Sequence, residues 1–253
     1  MTGEQRSVSH RQPIFNVPAT VIGLLAVMIA VHLALLSLDE QDALWWVVAL
    51  AFVPARYAGA AQEIPGGDLA AYTSFVTHMF VHADRIHLGI NGAWLLAFGS
   101  VVCRRVGGLR FLAFSLCCGL AGALLFLTLH FGLMAPVIGA SGAISGLMGA
   151  VMRFLFPVLD AHEGWRLRED PASIRLMSLW ETMRDGRLLA VTAAFVVLNL
   201  LAMIGFGSFS SGGAIAWEAH LGGYFFGLLA FGLFDIAPQR GAPAYPDDPT
   251  NVA

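Results

Sequence analysis

Six long apolar runs dominate the chain, at roughly residues 17–38, 88–106, 109–132, 140–157, 188–206 and 215–235. A helix crosses the hydrocarbon core of a bilayer with about 20 mostly apolar residues. Inside that core every backbone N–H and C=O has to be bonded within the spanning structure. Runs of this length therefore predict an all-α, polytopic membrane protein, a bundle of six transmembrane helices. A shorter run, "ALWWVVALAFVP" at 43–54, is too brief to span, and its two tryptophans suit a segment lying at the interface. Composition agrees: 57% of the 253 residues are hydrophobic and 12% are charged, where a soluble domain carries about 25% charged residues.

Every cationic side chain is an arginine, and the arginines test the span count. With the N-terminus in the cytoplasm, only Arg56 and Arg85 fall in outer segments, and the rest of the 14 fall inside. The positive-inside rule expects that bias, and an odd number of spans would spoil it. Both termini are thus expected in the cytoplasm, with residues 1–14 as an inner N-terminal segment, 15–237 as one membrane domain and 238–253 as a disordered tail. No small-residue cleavage site ends the first apolar run, so that helix is expected to be retained. The polar inner segment 158–187 contains "DPASIRLMSLWETMRDG". Asp170 as N-cap, Pro171 in the first turn and Gly186 as a stop predict one short helix there, with Ile174, Met177 and Trp180 on one face.

Other function classes find little support. The net charge of −3 comes with no basic patch, so no nucleic-acid partner is expected. Cys103, Cys117 and Cys118 lie in apolar runs and form neither a disulfide framework nor a metal spacing.

Polar groups inside hydrocarbon are costly, and each needs a reason. His87 and Asn91 stand in the second run, Ser141 opens the fourth, and His220 stands in the sixth. At 1.5 Å of rise per residue, Asn91, Ser141 and His220 lie roughly 18–22 Å above the inner charges Arg104, Arg153 and Asp235. That is about 10 Å below the outer surface of a core about 30 Å thick, with His87 one turn higher. The fourth run is too short to span from Ser141, so "FGLMAPVIGA" before it has to dip inward. Irregular backbone at that depth belongs in protein or beside water, which predicts a cavity open to the outer side.

Small residues say which helices meet. Gly142 and Gly146 form a GxxxG pair, with Ser141, Ser145 and Gly149 on an adjacent stripe, while His220, Gly223 and Gly227 share a face of the sixth run. Small faces let backbones approach closely, and packing the fourth run on the sixth brings His220 beside Ser141. A serine hydroxyl needs a base within hydrogen-bond reach to act as a nucleophile, and histidine is the usual one. His87 and Asn91, spaced i and i+4, face one way and could donate to an oxyanion. The free N–H groups at the start of the fourth helix, that of Ser141 included, add to them.

Plainer readings apply to the remaining polar groups. His32 and His130 read as structural hydrogen-bonders and Asn199 as contact between helices. Glu218, two residues from His220, points elsewhere and is a poor partner for it. His78, His82 and His87 could in principle bind a metal, but neither HExxH nor a carboxylate accompanies them. No metal and no cofactor are expected.

The stretch "THMFVHADRIHLGINGAWLLAFG" (77–99), "GASGAISGLMG" (139–149) and "AWEAHLGGYFFG" (216–227) resemble, in order and in the right helices, the three motifs of the rhomboid family of intramembrane serine proteases. The resemblance implies Ser141 as nucleophile and His220 as base, a dyad without an aspartate. It implies His87, Asn91 and the Ser141 amide as oxyanion donors, and His82 as a residue that holds the first outer loop in shape. It also implies acyl-enzyme cleavage of transmembrane protein substrates near the outer face of a bacterial cytoplasmic membrane. Two positions depart from the family pattern. Ser145 stands where a large aromatic usually packs against the base, so the Ser145 hydroxyl is expected to steady His220 instead. "AYTSF" stands where a Trp-Arg pair usually anchors the first outer loop. "GFGSFSSGGA" (205–214) is expected to be a mobile cap over the site. The rival readings are a catalytically silent rhomboid-like binder of membrane clients and a polytopic transporter; scarce charge within the runs weighs against the second. Oligomeric state and substrate sequence are not encoded in these features.

Overall fold

The computed structural model describes residues 17–203 and 216–235; the expected terminal segments and the 205–214 cap lie outside them. The main helices are α1 (Ala19–Leu36), α2 (Glu40–Leu50), α3 (Gly67–Thr77), α4 (Arg85–Val106), α5 (Gly108–Leu129), α6 (Ser141–Asp160), α7 (Gly186–Met203) and α8 (Trp217–Ala230). Among the described residues there is no strand, only an isolated bridge between Phe52 and Val137. Four helices, α1, α4, α5 and α6, are long and apolar enough to cross a membrane. The apolar stretch of α7, Gly186–Leu201, and α8 are shorter.

α6 is the central helix, with most of its residues buried, whereas α1 is largely exposed. Phe111, Phe114, Leu147, Phe154, Tyr224 and Phe231 fill the core between α5, α6 and α8. The close contacts are made by backbone. A Cβ added at Gly223 would stand 1.9 Å from the Gly142 carbonyl oxygen, and one at Gly227 would stand 2.0 Å from that of Gly146. The two small-residue stripes read from the sequence are therefore in contact, and only glycine permits it at these crossings. α4 widens to a π-helical turn over Leu95–Gly99, where Trp94 and Phe98 stack at 5.3 Å.

The segment between α1 and α4 is tied to itself by carbonyl bonds. Arg56, buried in it, donates from Nη2 to the Val48 and Pro65 carbonyls, each at 2.8 Å. Tyr57 Oη donates to Ala71 O at 2.6 Å and Thr77 Oγ1 to Leu50 O at 2.8 Å. α2 carries Trp45 and Trp46 on its exposed surface, as an interface-lying segment would.

The polar segment 158–187 corrects one expectation. It is not a single helix starting at Asp170: Pro171–Ser173 form one 3₁₀ turn, the chain then extends, and a second turn at Leu179–Thr182 is capped by Ser178 and Glu181 in a capping box. Asp170 makes no side-chain cap, and Gly186 begins α7 rather than stopping a helix. The reason lies in carbonyl demand. Arg105 Nη1 donates to Pro171 O (2.5 Å) and Ile174 O (2.9 Å), and Arg153 Nε donates to Met177 O at 3.1 Å. Carbonyls that a continuous helix would use internally are taken by two buried arginines. Ile174 and Met177 are buried, while Trp180 is exposed. Arg105 also forms a buried ion pair with Asp235, at 2.7 Å, and lies over the Phe154 ring.

Candidate active site

Ser141 is the first residue of α6, and the first intrahelical bond there runs from Ile144 N–H to Ala140 O. The amides of 141–143 precede that bond, which leaves the helix's positive end beside the serine hydroxyl. The segment leading into Ser141 does turn inward. Val137 pairs with Phe52, Gly139 N–H donates to His78 O at 2.8 Å, and Val137, Gly139 and Ala140 are buried.

Gly139 fixes the approach of α4. Its φ of +111° suits glycine, and a Cβ there would stand 2.8 Å from His87 Nε2 and 3.7 Å from Asn91 Nδ2. The absent side chain lets His87 and Asn91 face the loop two residues before the serine. Asn91 Nδ2 donates to His87 O at 3.1 Å, and a side-chain amide has a second N–H to offer.

His220 Nε2 lies 2.8 Å from Ser141 Oγ. In the tautomer with its lone pair on Nε2, the hydroxyl donates and the ring nitrogen accepts, the arrangement in which a base can take the serine proton. The other ring nitrogen, Nδ1, lies 2.7 Å from Asn199 Oδ1 on α7. The expectation that Ser145 steadies His220 is therefore corrected: α7, not the next turn of α6, supplies the partner of the imidazole. An asparagine amide on a facing helix reaches the ring edge, while Ser145 is buried a full turn along α6.

A cavity of about 580 Å³ opens beside this pair. His87, Asn91, Ser141 and His220 stand at its polar end, and Trp94, Phe98, Met148, Val191, Phe195 and Leu198 make an apolar wall between α4, α6 and α7. A mostly apolar cleft with a few convergent polar groups is the usual form of a binding site.

The family model of the Rhomboid domain matches residues 70–235, most of the chain, from α3 through α8. The chain belongs to the rhomboid family. No curated protein sequence matches it. Rhomboids are generally intramembrane proteases, inactive members exist, and with its span-length apolar helices this rhomboid is an integral, multi-pass membrane protein.

The remaining sequence-derived residues fall as follows. His82 is buried, donates from Nδ1 to Phe80 O at 3.3 Å and meets His87 edge-on, with ring centroids 5.1 Å apart. Gly223 and Gly227 hold α8 against α6. Glu218 turns from the site to pair with His130. His32 is buried, and its Nε2 has no partner among the described residues, contrary to the hydrogen-bonding role expected of it. Among the described residues no three His, Cys, Asp or Glu side chains cluster as a metal site.

Three residues take roles that the sequence did not assign to them. Asn199, read as contact between helices, makes that contact on the His220 ring itself. Arg56 is another, and it ties the segment between α1 and α4. The third is His78, whose Nδ1 donates to Ser74 O at 2.7 Å while its own carbonyl receives Gly139 N–H. Burial pushes the His78 imidazole down to about 4, so it is neutral. A lone arginine amid an apolar outer segment, and a histidine ahead of the motif pair, were the only signals.

Proposed function

We propose that this rhomboid is an active intramembrane serine endopeptidase, with Ser141 as nucleophile and His220 as base. The observation that carries the reading is the 2.8 Å approach of His220 Nε2 to Ser141 Oγ at the polar end of the cavity. A silent client binder has no need of an aligned serine–histidine pair.

In the reaction, His220 Nε2 accepts the Ser141 proton as Oγ attacks the scissile carbonyl carbon, and the carbonyl oxygen becomes an oxyanion. His87, the free N–H of Asn91 and the Ser141 amide are the donors for that oxygen, each acting on charge that develops only in the transition state. The imidazolium then gives its proton to the leaving amide nitrogen. Water, deprotonated by His220, attacks the Ser141 ester and restores the hydroxyl. The steps need no cation or cofactor.

The substrate class follows from the wall of the cavity. Apolar side chains from α4 and α7 line it, which suits a transmembrane segment of another protein unwound near its outer end. In this reading six helices span the membrane, α7 and α8 among them, both termini lie in the cytoplasm, and the site draws water from the outer side of a bacterial cytoplasmic membrane. Purified wild-type protein in liposomes is expected to cleave a single-span substrate, and Ser141→Ala is expected to leave it intact. Equal cleavage by both proteins would refute the assignment.

A further inference from the structure

We propose that Asn199 is a positioning residue that makes His220 a base, by fixing which ring nitrogen carries the proton. The inference rests on the reading of Ser141 and His220 as nucleophile and base, and adds a third group to them. A neutral imidazole has one N–H and one lone pair, and only the tautomer with its lone pair on Nε2 can take the Ser141 proton.

The amide of Asn199 selects that tautomer because its own orientation is fixed. Asn199 Nδ2 donates to the Phe195 carbonyl at 2.8 Å, one turn back along α7. Rotated by half a turn, the amide would set oxygen against that carbonyl oxygen. The end that faces His220 is therefore Oδ1, 2.7 Å from Nδ1. Oxygen can only accept, so Nδ1 carries the hydrogen and Nε2 is left bare, 2.8 Å from the Ser141 hydroxyl.

The rest of the α7–α8 contact holds this register. Tyr224 lies one turn after His220 on α8. Its hydroxyl and Thr192 Oγ1 are 2.7 Å apart, and its ring stacks on Phe195 with centroids 4.6 Å apart. Thr192, Phe195 and Asn199 are spaced i, i+3 and i+7, so one stripe of α7 meets one stripe of α8. Asn199 is buried, a costly place for an amide unless both its ends are bonded. Ser145, at the next turn of α6, is too small to hold the ring by stacking. The Asn199 bond also survives proton transfer, since Nδ1–H still donates when Nε2 is protonated. The amide carries no charge, so its contribution is the tautomer and the ring's orientation.

Two replacements of similar size test this: Asn199→Leu removes the acceptor, and Asn199→Asp keeps one. Each is to be measured for kcat and KM on a single-span substrate, for the rate of fluorophosphonate labelling, and for thermal unfolding. Asn199→Leu is expected to lower kcat and the labelling rate about 10–100-fold, the order lost when the outer-shell partner that orients a metal-bound histidine is removed. KM is expected to be unchanged and the unfolding midpoint no lower than wild type. Asn199→Asp is expected to label within a few-fold of wild type while unfolding at a lower temperature. Activity and stability then run in opposite orders, which a packing role alone would not produce. Wild-type labelling by folded Asn199→Leu, or losses in both variants that follow their stabilities, would overturn the role of Asn199 and leave the serine–histidine pair standing. Should Asn199→Leu fail to fold, Asn199→Ala carries the same expectation and the same refutation. Labelling that Ser141→Ala does not abolish would overturn the pair and the proposal together.

Discussion

The two ends of the α6–α8 pair handle polarity in opposite ways. At the Ser141 end no side chain carries a fixed charge: half-buried Ser141 and His220 and buried Asn199 are joined in a chain that ends on the Phe195 carbonyl, beside an open cavity. At the Asp235 end the groups are charged and closed off: Arg105 against Asp235 and two carbonyls, Arg153 against Met177 O. A closed ion pair with four of the guanidinium's five N–H groups bonded within the protein is a rigid fixture with little left to offer a substrate. Neutral groups beside a cavity can exchange protons without leaving an uncompensated charge in hydrocarbon. The same two helices thus carry a fixture at one end and a reactive site at the other, with glycine contacts between.

The glycine contacts serve both ends, so breaking them should erase the comparison altogether. Gly223→Ala and Gly227→Ala would each set a methyl about 2 Å from a facing carbonyl oxygen. Each is expected to lose more than about 4 kcal/mol of stability, the range reached by severe overpacking and backbone displacement. Thermal unfolding in detergent measures it, and a midpoint equal to wild type would show that the crossing is looser than described.

Next in size is the fixture at the Asp235 end. Arg105→Leu strands Asp235 with its side chain only 7% exposed and takes donors from Pro171 O and Ile174 O. Removing one member of a buried pair costs about 3–5 kcal/mol. The two ends are then separable: per folded molecule, Ser141 labelling should match wild type. A labelling loss out of proportion to unfolding would mean that the ends are coupled.

A smaller effect should appear only in the segment between α1 and α4. His78 is neutral because burial lowers its affinity for a proton to about 4, against 6.5 when free. An opened loop therefore binds that proton first. The contribution of His78 is complete above about pH 6.5 and is lost as pH falls from there towards 4, at about 1.4 kcal/mol per pH unit, roughly 3 kcal/mol in all. The protection factors of amides in residues 69–82, referred to the intrinsic exchange rate at each pH, are expected to fall on acidification, with those around Arg105 unchanged. Equal protection at pH 7 and pH 4.5 would contradict it.

The smallest change is expected at Ser145. With His220 held from α7, Ser145→Ala should cost under about 1 kcal/mol, the net worth of one hydrogen bond, and leave most of the cleavage. A dead Ser145→Ala protein would return the hydroxyl to the site.

Much of this arrangement is legible in the sequence because it depends on local spacing. Apolar length gives α1, α4, α5 and α6, and the i, i+3, i+4 and i+7 stripes of small residues place His220 against Ser141 before any coordinates. What depends on partners distant in the chain is not legible. Asn199 reads as contact between helices but not as the partner of His220, because which group it meets follows from the rotation of α7 about its own axis, which Tyr224 and Thr192 set. The segment 170–186 reads as a helix because its caps are in place. Its carbonyls are claimed by Arg105 and Arg153, some 70 and 20 residues earlier, and no local pattern reports that claim. Arg56 reads as an outer charge, and only the folded loop turns it inward onto three carbonyl groups.

The central claim is that Ser141 is activated by His220. Mass spectrometry of the fluorophosphonate-treated protein tests it most directly, since the phosphonyl group bonds to the activated oxygen as fluoride leaves. The expected result is one adduct, on Ser141, in wild-type protein, and none in folded His220→Ala. An adduct on another residue, or wild-type labelling of Ser141 in His220→Ala, would contradict it.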